Sequence, residues 1–123
     1  MNPTMATTPT MARRLAVLAI AIVALLTMAA APANAAIITV SQGDDYASVQ
    51  YLSNADQVDV CDREADGNGV YVKVVLYDGY DQFGDANGSA SPCSSRSYAR
   101  RQVDSIQVCE AVTGPDYCSR RAG

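Results

Sequence analysis

The chain contains no histidine and no tryptophan, and only one phenylalanine. Without an imidazole there is no Ser-His-Asp or Cys-His arrangement and no His metal ligand. Nor is there a side chain whose ordinary pKa would let it shuttle protons near neutrality. The four cysteines, Cys61, Cys93, Cys109 and Cys118, include no C-x-x-C pair, since 31, 15 and 8 residues separate them. That spacing excludes the usual zinc knuckles. Base is scarce as well, with nine Lys and Arg against 13 Asp and Glu, which rules against a nucleic-acid footprint. Paired carboxylates remain as a route to catalysis, but a small β domain offers little depth in which to raise one of their pKa values. The expectation is a protein that is not an enzyme and carries no cofactor.

What is present begins with a leader. A polar stretch ends in Arg13 and Arg14, an apolar run of 17 residues follows from Leu15 to Ala31, and Ala33 and Ala35 supply small residues two apart. This is the three-part layout of an export signal cleaved after Ala35, and the apolar run is shorter than the roughly 20 residues that a spanning helix needs. Residues 1–35 are therefore expected to be a signal peptide. Residues 36–123 would then form a secreted, extracellular domain with no membrane attachment after cleavage. Removing the leader takes two arginines with it and leaves seven basic residues against 13 acidic ones, a formal charge of −6. The acids gather in residues 36–85, where ten face two bases.

A domain of about 90 residues buries too little surface to be robust without covalent help. Four cysteines in an exported chain imply two disulfides. Three pairings are possible, and Cys61–Cys93 with Cys109–Cys118 is favoured because sequence neighbours meet most easily among short hairpins.

The mature chain reads as β throughout. Residues 70–77 alternate Val70, Val72, Val74 and Leu76 against Tyr71, Lys73, Val75 and Tyr77, which predicts a central strand with Tyr71 and Tyr77 in the core. Residues 57–61 alternate in the same way, and the Asp-Gly and Asn-Gly steps between the two runs predict a hairpin. Residues 37–40, 46–52, 80–85 and 103–111 complete about six strands, the last with a phase slip that predicts a β-bulge near Asp104 or Ser105. Residues 89–97 read as a loop pinned by Cys93, and the basic C-terminal segment as frayed. The fold expected is all-β, a small antiparallel sandwich or partly open barrel.

Three constellations are candidate sites. Tyr80, Tyr98 and Tyr117 fall in predicted loops, where flat rings with polar tips suit a sugar or protein partner. Arg100-Arg101, or the loop closed by Cys109 and Cys118, suits an inhibitory loop for a trypsin-like protease. Asp62, Glu64, Asp66 and Gly67 match the opening half of a calcium loop, but Lys73 occupies the position of the closing bidentate Glu, so a polar turn is favoured over a metal site.

The runs Val60-Cys61-Asp62, Asp66-Gly67-Asn68-Gly69-Val70-Tyr71-Val72, residues 85–89 with Cys93, and Val108-Cys109-Glu110 resemble a group of small secreted actinobacterial proteins. That resemblance covers most of the mature chain and implies no function. The actinobacterial subtilisin inhibitors share size and disulfide number, but their Cys-Pro reactive-site pattern has no match here. The reading from sequence is a monomeric, non-catalytic extracellular module that binds an unknown protein or cell-envelope glycan. A secreted protease inhibitor is the alternative, and a calcium-stabilised structural domain a third.

Overall fold

The computed structural model describes residues 35–123; the expected export signal, all but its last residue, lies outside the described residues. Eight strands follow one another: β1 (Ala36–Gln42), β2 (Asp45–Tyr51), β3 (Ala55–Cys61), β4 (Gly69–Leu76), β5 (Gly79–Gly84), β6 (Ser94–Ala99), β7 (Val103–Ala111) and β8 (Tyr117–Cys118). They form two antiparallel four-stranded sheets, ordered β1-β2-β3-β6 and β5-β4-β7-β8. The architecture is a sandwich, one of the two forms expected from the alternation of apolar residues.

One face of each strand is apolar and must be buried, so the two apolar faces close on each other. Ala47, Val49, Val58 and Val60 from one sheet meet Val70, Val72, Val74, Ile106 and Val108 from the other. Nearly all of these are small β-branched residues, stiff at χ1 and suited to a thin, interdigitated layer.

Several expectations are corrected. The runs around β3 and β4 do not form a hairpin, because both edges of β3 are already occupied by β2 and β6. The chain instead crosses from one sheet to the other through residues 62–68. Tyr71 lies on the outer face of its sheet and Tyr77 sits in the β4–β5 turn, 74% exposed, so neither is core. Residues 94–97 belong to β6 rather than to a loop. The C-terminal segment is not frayed: the Ser119 N–H bonds to the Val108 carbonyl, and Ala122 bridges Ile106. Eight strands thus replace the expected six.

Other expectations hold. The bulge falls at Asp104, since Val75 pairs with Ser105 while Leu76 pairs with Val103. The disulfides are Cys61–Cys93 and Cys109–Cys118. Val60 pairs with Ser94, so Cys61–Cys93 adds a covalent rung just beyond the β3–β6 ladder. Cys109 and Cys118 are direct partners across β7 and β8.

The edge strands β5 and β6 of the two sheets are joined by polar side chains that point inward. Asp81 Oδ2 accepts hydrogen bonds from Arg96 Nη1 at 2.7 Å and from the Tyr98 hydroxyl at 2.8 Å. The Arg96 guanidinium lies 4.6 Å over the centroid of Phe83. This latch closes one flank of the sandwich.

Candidate functional site

The strand directions bring four connections to one end of the molecule: the β1–β2 turn (43–44), the two sheet-crossing loops (62–68 and 85–93) and the β7–β8 loop (112–116). These connections and the strand ends beside them carry Asp44, Asp45, Asp62, Glu64, Asp66, Asp85, Glu110 and Asp116. That is eight of the 13 acids in the chain, with Arg63 the only base among them. Six of the ten acids in residues 36–85 thereby join Glu110 and Asp116 at one pole of the folded molecule.

Backbone geometry explains how the loops hold their shape. Gly43 has φ +61 at the first central position of the two-residue β1–β2 turn, the conformation that favours glycine in such a hairpin. A side chain there would also press on the Glu64 carboxylate, 2.9 Å from where its Cβ would lie. Asp45, 1% exposed, accepts the Arg63 backbone N–H at 2.7 Å and so ties the β1–β2 hairpin to the first crossing loop. Asp85 accepts the Asp62 N–H at 3.0 Å and the Ser94 hydroxyl at 3.3 Å, which ties the two crossing loops together.

Between those loops, beside the Cys61–Cys93 bridge, lies an open cleft of about 370 Å³ lined by Tyr46, Asp62, Arg63, Asp85, Ser89, Ala90, Ser91 and the two cysteines. The Tyr46 hydroxyl reaches 3.9 Å from Cys93 Sγ. The lining is mainly polar, so the cleft suits a hydrated, polar or charged group rather than an apolar ligand. Burial, with Asp45, Asp66 and Asp85 nearby, raises the Asp62 carboxyl above the usual aspartate value. Glu64 is raised for the same kind of reason, desolvation first and then the charges of Asp45 and Asp44. Asp66 is lowered, chiefly because its carboxylate accepts the Asn68 backbone N–H.

The three predicted calcium ligands are not gathered round one point. Asp62 Oδ1 instead accepts the Glu64 N–H, and Asp66 accepts bonds from Asn68, each a local turn within the loop. Glu64 converges with Asp45 and Glu110, whose carboxylate oxygens lie within 4.8 Å of one another. Among the described residues, these three, from three separate segments, form a group that could hold a divalent cation. Asp45 and Glu110 carry no local signature, and only the pairing of distant strands reveals them.

The three tyrosines are likewise separated, and all lie on strands. Tyr80 is on the outer face of β5 and Tyr117 on β8, at opposite edges of one sheet, both more than half exposed. Tyr98 packs against the core with its hydroxyl on Asp81. Tyr80 donates its hydroxyl to Gln82 Oε1 at 2.9 Å, and the half-buried Tyr71 donates its own to Asp116 Oδ2 at 2.5 Å and is pushed up to about 12 by that bond and by burial. Arg100 and Arg101 form a tight turn at the opposite end. Arg101 has φ 60, and the Gln102 N–H bonds back to the Ala99 carbonyl at 3.1 Å.

Comparison of the chain with protein-family models, curated proteins and solved structures returned no significant match. The two disulfides are compatible with an oxidising extracellular setting, and no helix among the described residues is long and apolar enough to cross a membrane.

Proposed function

We propose that the protein is a secreted, non-catalytic binding module whose acidic pole and adjoining cleft receive a cationic segment of an extracellular protein. The observation that carries this reading is the convergence of eight acids and one base on the connections of one end, beside a cleft whose lining includes Asp62, Asp85 and Arg63. Such a pole raises the local concentration of a basic partner and speeds its encounter. The aromatic-face reading has less support, since Tyr80, Tyr98 and Tyr117 do not share a surface. The inhibitor reading also has less, because a protease needs an extended segment and Arg100-Arg101 is a closed turn.

The test is a two-dimensional NMR titration of the 15N-labelled protein with an arginine-rich peptide, a glutamate-rich peptide, and soluble cell-wall glycan fragments. Shifts confined to the amides of residues 43–45, 62–66 and 85–91, produced by the arginine peptide alone and weakened in Asp44→Asn, Asp66→Asn, are the expected result. Equal response to both peptides, or shifts centred on Tyr80 or Tyr117 with the glycan, overturns it.

A further inference from the structure

We infer that the outer edge of β1 is a self-pairing surface, and that two copies of the protein join through it into one continuous eight-stranded sheet. The sandwich has four edge strands, and three are guarded. β5 and β6 are locked together by Asp81, Arg96 and Tyr98, and β8 is only two residues long. β1 is seven residues long, AIITVSQ, with no charge, proline, glycine or bulge, and among the described residues no strand pairs with its outer side. Charges, prolines, bulges and short length are the usual means by which an edge is kept from pairing, and β1 has none of them.

The register follows from the hairpin. A two-residue turn closes on a hydrogen-bonded pair, here Gln42 with Asp45, and such pairs alternate along the ladder. Val40 and Ile38 therefore bond to β2, while Ser41, Thr39 and Ile37 turn their N–H and C=O groups to the open edge. That set is self-complementary about Thr39. In an antiparallel pair of copies Thr39 faces its own equivalent and Ile37 faces Ser41, which satisfies every free backbone group along the strand.

The side chains agree. Thr39 would meet Thr39 on the outer face, a favourable cross-strand pair, and Ile38, now only half-buried, would meet Val40 on the inner face. Ile37, 59% exposed, would gain cover beside Ser41.

Charge favours the same orientation and a second copy as occupant. β1 runs toward the acidic pole, so antiparallel pairing sets the acidic pole of each copy beside the opposite end of the other. The segment carrying Arg120 and Arg121 lies along β7, the strand over which β1 packs, and leads to Ala122 at Ile106, toward that opposite end. Parallel pairing would instead place the two acidic poles side by side.

The test uses the full chain exported and oxidised by a bacterial host, with its mass and native disulfides checked after purification. Sedimentation velocity from about 10 μM to about 1 mM should show a concentration-dependent dimer, which an edge-only interface of this kind predicts to be weak. Thr39→Pro, which removes an outward N–H at a position where an edge strand tolerates proline, should leave a folded monomer by circular dichroism. Register is read by Thr39→Cys, whose Cα atoms would lie about 5.5 Å apart across the pair and should form a covalent dimer in air. Ile37→Cys places its two sulfurs four rungs apart, about 13 Å, and should not. A wild type that stays monomeric throughout, a dimer unaffected by Thr39→Pro, or equal cross-linking of both cysteine variants overturns the proposal.

Discussion

The Asp56 carboxylate, 1% exposed, accepts the backbone N–H of Val103 at 2.9 Å with the same oxygen that accepts the N–H of Gln102 at 2.8 Å. A side chain at the start of β3 thereby holds the turn that carries the chain from β6 across to β7. Removing that acceptor leaves the buried Val103 N–H unsatisfied and the Gln102 N–H with only its bond to the Ala99 carbonyl. Asp56→Ala is expected to cost about 3 kcal/mol, and Asp56→Asn less because one oxygen remains. Urea unfolding midpoints of the two variants against wild type check this, and equal midpoints would remove Asp56 from the account of the turn.

The β5–β6 latch has a pH signature. Asp81 is held below the usual aspartate value, chiefly by the Arg96 hydrogen bond and also by Tyr98. A carboxyl whose folded pKa is depressed stabilises the fold above its unfolded value, and that stability is lost as pH falls through the folded pKa. Asp81→Asn should therefore melt below wild type at about pH 7, with the gap closing toward about pH 2. A gap that is constant with pH would mean that the ion pair adds nothing beyond packing.

Asp62 carries the opposite sign. Its carboxyl is raised by burial and by neighbouring acids, so the protonated form is favoured in the folded state, and its contribution to stability disappears as pH rises through the folded pKa. Asp62→Asn keeps the oxygen that accepts the Glu64 N–H while removing the charge. It should melt higher than wild type at about pH 7 and match it below the unfolded value of 3.8. A destabilised variant at neutral pH would show that the charge is needed by the loop.

The two disulfides should differ in weight. Closing the longer loop, with a sequence separation of 32 for Cys61–Cys93, restrains the unfolded chain by about 3.7 kcal/mol. The separation of 9 for Cys109–Cys118 corresponds to about 2.7 kcal/mol. Paired Cys→Ala replacements, compared by denaturant titration, should rank in that order. The reverse order would mean that native packing around β8 outweighs chain entropy.

The strands that periodicity reveals most plainly are those with one largely apolar face. β4 alternates four aliphatic residues, and β2 pairs Ala47 and Val49 against polar partners, so periodicity alone suffices. β6 escaped because its inward residues are Ser94, Arg96 and Tyr98: at the flank of the sandwich the buried side of a strand is polar, and polar residues leave no hydrophobic period. β8 is too short to show one. The false hairpin between β3 and β4 arose because turn residues announce a reversal of the chain without saying which sheet receives it. For the site, the acidic half of the sequence was visible as composition. Its convergence at one pole depends on long-range pairing, Gly69 with Ala111 and Tyr46 with Cys61, which local patterns do not encode.

The β1 start at Ala36 and the Ala122 bridge to Ile106 both lie toward the end of the sandwich away from the acidic loops. A display scaffold, dye or immobilisation tag joined at either side of the domain would therefore leave those loops pointing away from the support. The protein can be anchored to a sensor surface or presented on a particle in one defined orientation, with its most highly charged face turned to solution.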